Sequence, residues 1–134
     1  MPSFGHQSRQ RLREVHPDLR RLFEYVVEEF DCTIIAGFRG KSAQDRAVET
    51  GRSKLPWPDG KHNSWPSRAI DVAPWPLDWT DKRRFDHFAG YVKCASRVLR
   101  IPIRWGGDWD GDFDPSDQKF NDLVHFELED EVLR

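Results

Sequence analysis

Two histidines and an aspartate, His62, Asp71 and His125, are the residues whose types and positions most directly suggest chemistry. Asp71 sits inside the apolar run Ala69-Ile70-Asp71-Val72-Ala73. A carboxylate buried there without a partner loses on the order of several kcal/mol or more of hydration, so something positive must meet it. A metal ion is the simplest answer and an arginine the other. Two neutral imidazoles with one carboxylate have the composition of a catalytic zinc site, in which a fourth position stays open. Taken singly, each of the three is more often a hydrogen-bonded core or surface side chain than a ligand.

Asp122 stands three residues before His125. Metal-assisted hydrolysis needs a base that takes a proton from water and passes it to the leaving group, and a carboxylate beside the metal does both. Positions i and i+3 of a straight strand face opposite ways, so Asp122 can serve only from a bend before the strand. Asn121-Asp122 favours such a bend. A solvated turn aspartate is an equally good reading of the residue. Arg39 follows the Gly37-Phe38 turn after an apolar run, where its fork could hold a substrate carboxylate, a carbonyl or an oxyanion.

Other chemistry-bearing residues are less informative. His6, His16 and His87 have no histidine or carboxylate at useful spacing and read as surface or capping residues. Asp108, Asp110, Asp112, Asp114 and Asp117 suggest a calcium loop but fail the EF-hand template: Phe113 or Pro115 falls where glycine is required, and no glutamate closes the loop. A solvated acidic loop is the preferred reading, with a looser Ca2+ site as its alternative. Six tryptophans exceed the packing needs of a short chain. Some of Trp65, Trp75, Trp105 and Trp109 are therefore expected to wall a groove, with core packing the competing use for each.

The elements that must position these residues follow from periodicity. Leu19, Leu22, Phe23, Val26, Val27 and Phe30 form a helical stripe from Pro17 to Asp31, and Cys32 to Ala36 reads as a buried strand closed by Gly37. A short helix runs from Ala43 to Thr50 and stops at Gly51. Residues 52 to 68, with Pro56, Pro58 and Pro66, form an ordered loop that presents side chains. Ala69 to Ala73 is a strand, and a long helix after Thr80 buries Phe85, Phe88, Val92, Ala95 and Leu99. Ile101 to Trp105 is a strand whose Pro102 suits an edge. Leu123 to Leu128 is the last strand, with His125 and Glu127 on the face opposite Val124, Phe126 and Leu128. The fold class is α+β, a small largely antiparallel sheet packed against two or three helices.

A length of 134 residues predicts one domain, residues 1–134. With 37% hydrophobic and 33% charged residues the composition is that of a globular protein. A formal charge of -2 gives no field to hold a polyanion, so nucleic acid is not an expected partner. The arginines between Arg9 and Arg21 read as a solvated helix face. Cys32 and Cys94 lack metal or redox spacing and read as buried free thiols of a reducing compartment. Neither a signal peptide nor a membrane span is expected.

Four segments carry a family resemblance: GFRGKSAQ from Gly37, KHNSWPSRAIDVAPWP from Lys61, RWGGDWD from Arg104 and DLVHFEL from Asp122. In this order, over about Ser8 to Leu128, they resemble the phage L-alanyl-D-glutamate peptidases, endolysins within the zinc D-alanyl-D-alanine carboxypeptidase and dipeptidase (VanY-like) family. The resemblance implies a DD-peptidase, Hedgehog-like zinc fold. It also implies one Zn2+ held by His62, Asp71 and His125, Asp122 as general base, and Arg39 in substrate binding and transition-state stabilisation. Gln44 would support the Arg39 loop, with Gln44, Ser64 and Trp109 among the substrate contacts. The family often has serine two residues before its first histidine ligand, where this chain has Gly60, so that hydroxyl is absent or comes from Ser64.

The implied function is hydrolysis of the L-Ala–D-Glu bond of the peptidoglycan stem peptide. A D-alanyl-D-alanine carboxypeptidase and a non-catalytic, zinc-stabilised wall-binding or virion module are the alternatives. A monomer is expected, made in the host bacterial cytoplasm without stable membrane association. It would be released to the wall by a holin-type partner and would have no separate wall-binding domain.

Overall fold

Alternating strand residues divide one small sheet into an apolar face and a polar face, and the polar face carries the candidate chemistry. A computed structural model describes residues 1–109, 111 and 122–130. Asp110, Asp112, Asp114 and Asp117, with the calcium reading placed on them, and Asn121 lie outside the described residues.

The elements are α1 (His6–Leu12), α2 (Pro17–Val27), β1 (Cys32–Ala36), α3 (Lys41–Glu49), β2 (Ala69–Pro74), α4 (Lys82–Val98), β3 (Ile103–Trp105) and β4 (His125–Leu128). The sheet order is β1-β2-β4-β3, and every neighbouring pair is antiparallel. Ile34, Ile70, Val72, Phe126 and Leu128 join Leu19, Phe23 and Val26 of α2 and Phe88 and Val92 of α4 in the main core. Phe23 meets Phe126 edge-on at 5.4 Å. The other parity of β2 and β4 sends Asp71, His125 and Glu127 away from that core. Asp71 and His125 are direct cross-strand partners, which is how residues distant in sequence become neighbours.

Several boundaries differ from the periodic reading. Helix α2 stops at Val27 with Glu28 as its cap, and Phe30 reaches the core from the following turn, edge-on to Phe88 at 5.0 Å. A hydrophobic stripe reports what is buried, and a turn can continue it. Helix α1 carries Arg9 and Arg11 of the expected helix face as an element separate from α2; with only Ser8 and Leu12 buried it is too short to show a hydrophobic period. His16 caps α2, its Nδ1 accepting from the Asp18 amide at 3.0 Å. Strand β3 is shorter than expected, lies at the sheet edge and excludes Pro102. Cys32 is buried as expected but Cys94 is exposed, because position 94 falls on the outer face of α4 beside inward-facing Ala95.

Arg100 ends α4 with φ 59°, in the left-handed region, while the Ile101 amide bonds the Ser96 carbonyl at 2.8 Å. This is a helix terminus at which glycine is ordinarily preferred. Replacing Arg100 by Gly is expected to stabilise the fold by about 0.5–1 kcal/mol, since relief of Cβ strain exceeds the added freedom of the unfolded chain. A urea midpoint that stays level or falls would contradict this.

Candidate active site

His62 reaches the polar face from a 3₁₀ turn, Lys61–Asn63, inside the long loop. The turn is fixed to the Arg39 loop by two bonds: the Arg39 amide donates to the His62 carbonyl at 2.8 Å, and Asn63 Nδ2 donates to the Arg39 carbonyl at 3.0 Å. Ser67, just before β2, pairs with Glu14 and His16 in the α1–α2 connection. The loop is thereby held at both ends.

The three side chains converge. His62 Nε2 lies 3.2 Å from Asp71 Oδ1 and 3.2 Å from His125 Nδ1, and His125 Nδ1 lies 3.4 Å from Asp71 Oδ1. All three residues are buried and form a group able to hold a metal ion. Their outer contacts identify which atoms carry hydrogen. His62 Nδ1 is 2.7 Å from the Gly37 carbonyl, which only accepts, so the neutral ring has its hydrogen there. His125 Nε2 likewise donates to Glu127 Oε1 at 2.8 Å. Two imidazole lone pairs and a carboxylate oxygen then face one another at close range, an arrangement that repels unless a cation joins it. Tetrahedral ligands at zinc-like bond lengths sit about 3.3 Å apart, so the donor triangle fits such an ion.

Charge shapes the surroundings. Burial alone would raise the Asp71 carboxyl, but His62 and His125 outweigh it and hold the group well below the usual carboxylate range. Asp71 Oδ2 also faces Arg39 Nη2 at 3.6 Å, so both answers expected from sequence, metal site and arginine, meet this carboxylate. Burial opposes a charged His125, yet hydrogen bonds to Asp71 and Glu127 raise it to about 9, so a proton competes with any metal for this ring. Asp122 lies in the bend before β4, as its spacing required. Its amide bonds the Gly106 carbonyl at 2.9 Å and its carbonyl accepts from the His125 amide at 3.1 Å. A Cβ on Gly106 would run into the Asp122 carbonyl oxygen, so glycine permits this close approach. Burial and the Asp71 charge raise the Asp122 carboxyl above its ordinary value.

The remaining expected site residues divide. Arg39, Gln44 and Trp109 line a cleft of about 360 Å³ together with His62, Asp122 and His125. Trp109 lies 5.4 Å from the His125 ring. Gln44 is a support residue: fully buried, its Oε1 accepts from Arg39 Nη1 at 3.0 Å and from Asn63 at 3.1 Å, and its amide donates to Ser53 and the Leu55 carbonyl. Engaged on every side, it has no donor left for a ligand. Ser64 is exposed, bonds the Pro66 carbonyl at 3.1 Å and does not line the cleft, whereas Ser53 does. Gly60 also lines it, and its amide donates to Asn63 Oδ1 at 2.9 Å. A Cβ at Gly60 would lie 2.7 Å from that oxygen, so the carboxamide occupies the space a serine would need. Of the other tryptophans, Trp105 is core, donating to the Leu123 carbonyl at 2.9 Å, while Trp65 and Trp75 are exposed outside the cleft.

Glu127 and Lys61 were not singled out from sequence. Lys61 Nζ lies 2.9 Å from Glu127 Oε2 and holds the carboxylate that orients His125. The shared face of His125 and Glu127 was the available signal. Burial would raise Glu127, but its bonds to His125 and Lys61 hold it down at about 2. Replacing Glu127 by Gln is expected to weaken metal binding roughly 10- to 100-fold, because the imidazole loses its charged orienting partner. Competition against a chelator measures this, and unchanged affinity would remove Glu127 from the site.

Comparison with known proteins gives the family. A family model described as phage L-alanyl-D-glutamate peptidase matches residues 2–129. The L-alanyl-D-glutamate peptidase of Escherichia phage T5 is 31% identical over 121 residues, which cover 86% of this chain and 87% of that protein. The crystal structure of the Serratia marcescens L-Ala D-Glu endopeptidase ChiX superposes with a TM-score of 0.72 at 25% identity, covering 96% of this chain and 91% of that one. Matched along nearly its whole length in both sequence and fold, this chain belongs to the phage L-alanyl-D-glutamate peptidase family.

Proposed function

We propose that the protein is a zinc-dependent endopeptidase that hydrolyses the L-Ala–D-Glu bond of the peptidoglycan stem peptide. The observation that carries the reading is the triangle of inward-facing donors on His62, Asp71 and His125, open to a cleft that also holds Asp122 and Arg39. The relatives named above act on this bond by their names. When bound, zinc would supply Lewis acidity toward the scissile carbonyl and would acidify water. Asp122, raised by burial, takes the proton of the attacking water and returns it to the departing D-glutamate amine. Arg39, steered by Gln44, donates to the oxyanion that develops on the carbonyl. Trp109 walls the cleft beside His125.

Purified peptidoglycan digested with the holoprotein is expected to yield new D-glutamate amino termini and L-alanine carboxyl termini by mass spectrometry. Release of D-alanine alone would reassign the protein as a carboxypeptidase. Pelleting with the wall without any new amine would leave a binding module. Under this reading residues 1–134 act as one catalytic domain and as a monomer, made in the host cytoplasm and reaching the wall through a holin-type partner. Among the described residues no helix is long and apolar enough to cross a membrane.

A further inference from the structure

Arg104 occupies edge strand β3, its Cα in register with Glu127 on β4. Its neighbours Ile103 and Trp105 pack with the core, so alternation puts Arg104 on the face of Glu127 and His125. It is exposed and lines the cleft. The carboxylate opposite it is already engaged, Oε1 by His125 Nε2 at 2.8 Å and Oε2 by Lys61 Nζ at 2.9 Å. Of the other arginines that line the cleft, Arg39 is tied to Gln44 and faces Asp71, and Arg52 donates to Thr50 Oγ1 at 3.3 Å. Among the described residues no carboxylate pairs with Arg104. A planar fork of donors on a cleft wall, one strand from the candidate metal ligands and with no carboxylate partner among the described residues, is suited to a carboxylate brought by a ligand.

We propose that Arg104 is a specificity-determining contact for the free carboxylate on the glutamate side of the scissile bond, selecting an acidic over an amidated residue there. The inference rests on the peptidase reading above. A glutamate joined to the next residue through one carboxyl keeps the other as an anion. Amidation removes its charge and replaces an acceptor oxygen with an NH2 group that only donates, which the guanidinium cannot accept. A site built around a charged hydrogen bond rejects an analogue that lacks it, because the site's own polar group is left unpaired.

Two synthetic stem peptides, identical except for amidation of that carboxylate, test the assignment with wild-type, Arg104→Met and Arg104→Lys holoenzymes. Wild type is expected to favour the acidic peptide by roughly ten- to a hundredfold in kcat/KM. Arg104→Met should bring that ratio close to one, mainly through KM, and Arg104→Lys, which keeps the charge but not the fork, should fall between. Equal losses on both peptides, or no change in the ratio, would overturn the role of Arg104 while the L-Ala–D-Glu cleavage itself stands. Failure of wild type to cut either peptide would overturn the peptidase reading and this inference with it.

Discussion

Replacing Asp122 by Asn is expected to lower kcat roughly 10²- to 10⁴-fold while metal content stays at the wild-type level. The separation of the two readouts follows from position. Asp122 is not part of the donor triangle, whose members are His62, Asp71 and His125. Its contribution to the fold runs through its backbone, bonded to Gly106 and His125, and asparagine preserves those bonds. What asparagine lacks is basicity, and the Asp122 environment raises exactly that property through burial and the nearby Asp71 charge. Kinetics on a stem peptide together with metal analysis of the purified variant give the answer. A wild-type rate would exclude Asp122 as the base, and loss of metal alongside activity would make it a ligand.

The site was legible in sequence where one residue type has few uses. A carboxylate inside Ala69-Ile70-Asp71-Val72-Ala73 demands a positive partner, and the parity of β4 places His125 on the side away from Phe126. The same parity forced Asp122 into a bend, where the structure has it. Residues with many uses were not legible. An indole packs in a core, stacks in a groove or lies on the surface, and of four candidate groove tryptophans only Trp109 lines the cleft. Gln44 was reached only through the family resemblance, as support for the Arg39 loop, and Asn63 was not reached at all, since their partners Arg39, Ser53 and Gly60 come together only when the loop folds back on α3. Glu127 shared the face of His125, but the ring orientation that joins them is set by the contacts of His125 Nδ1 with His62 Nε2 and Asp71 Oδ1, which form only in the folded site. The fold class survived these misses because it depends on burial periodicity alone. Phe30 serves the core equally well from a helix or from the turn beyond it.

Stripping the metal with a chelator is expected to abolish hydrolysis and to lower the melting temperature by roughly 15 °C relative to protein held at about 1,000 times the metal Kd. Binding only to the folded state at that excess stabilises by about 4 kcal/mol. Over 134 residues, at about 2.1 cal/mol/K of unfolding entropy per residue, each kcal/mol moves the midpoint by about 3.6 °C. The secondary structure should persist below the new midpoint, because the donors are not stranded when the metal leaves. His125, raised to about 9, takes a proton at neutral pH and becomes a cation against Asp71, whose other oxygen already faces Arg39. The core of α2, α4 and the apolar sheet face makes no use of the site residues. Circular dichroism of the stripped protein, repeated after zinc is restored, separates the effects. An unchanged midpoint with activity intact would refute a resident metal, and unfolding at room temperature on chelation would mean that the metal builds the fold instead of occupying a site the fold already provides.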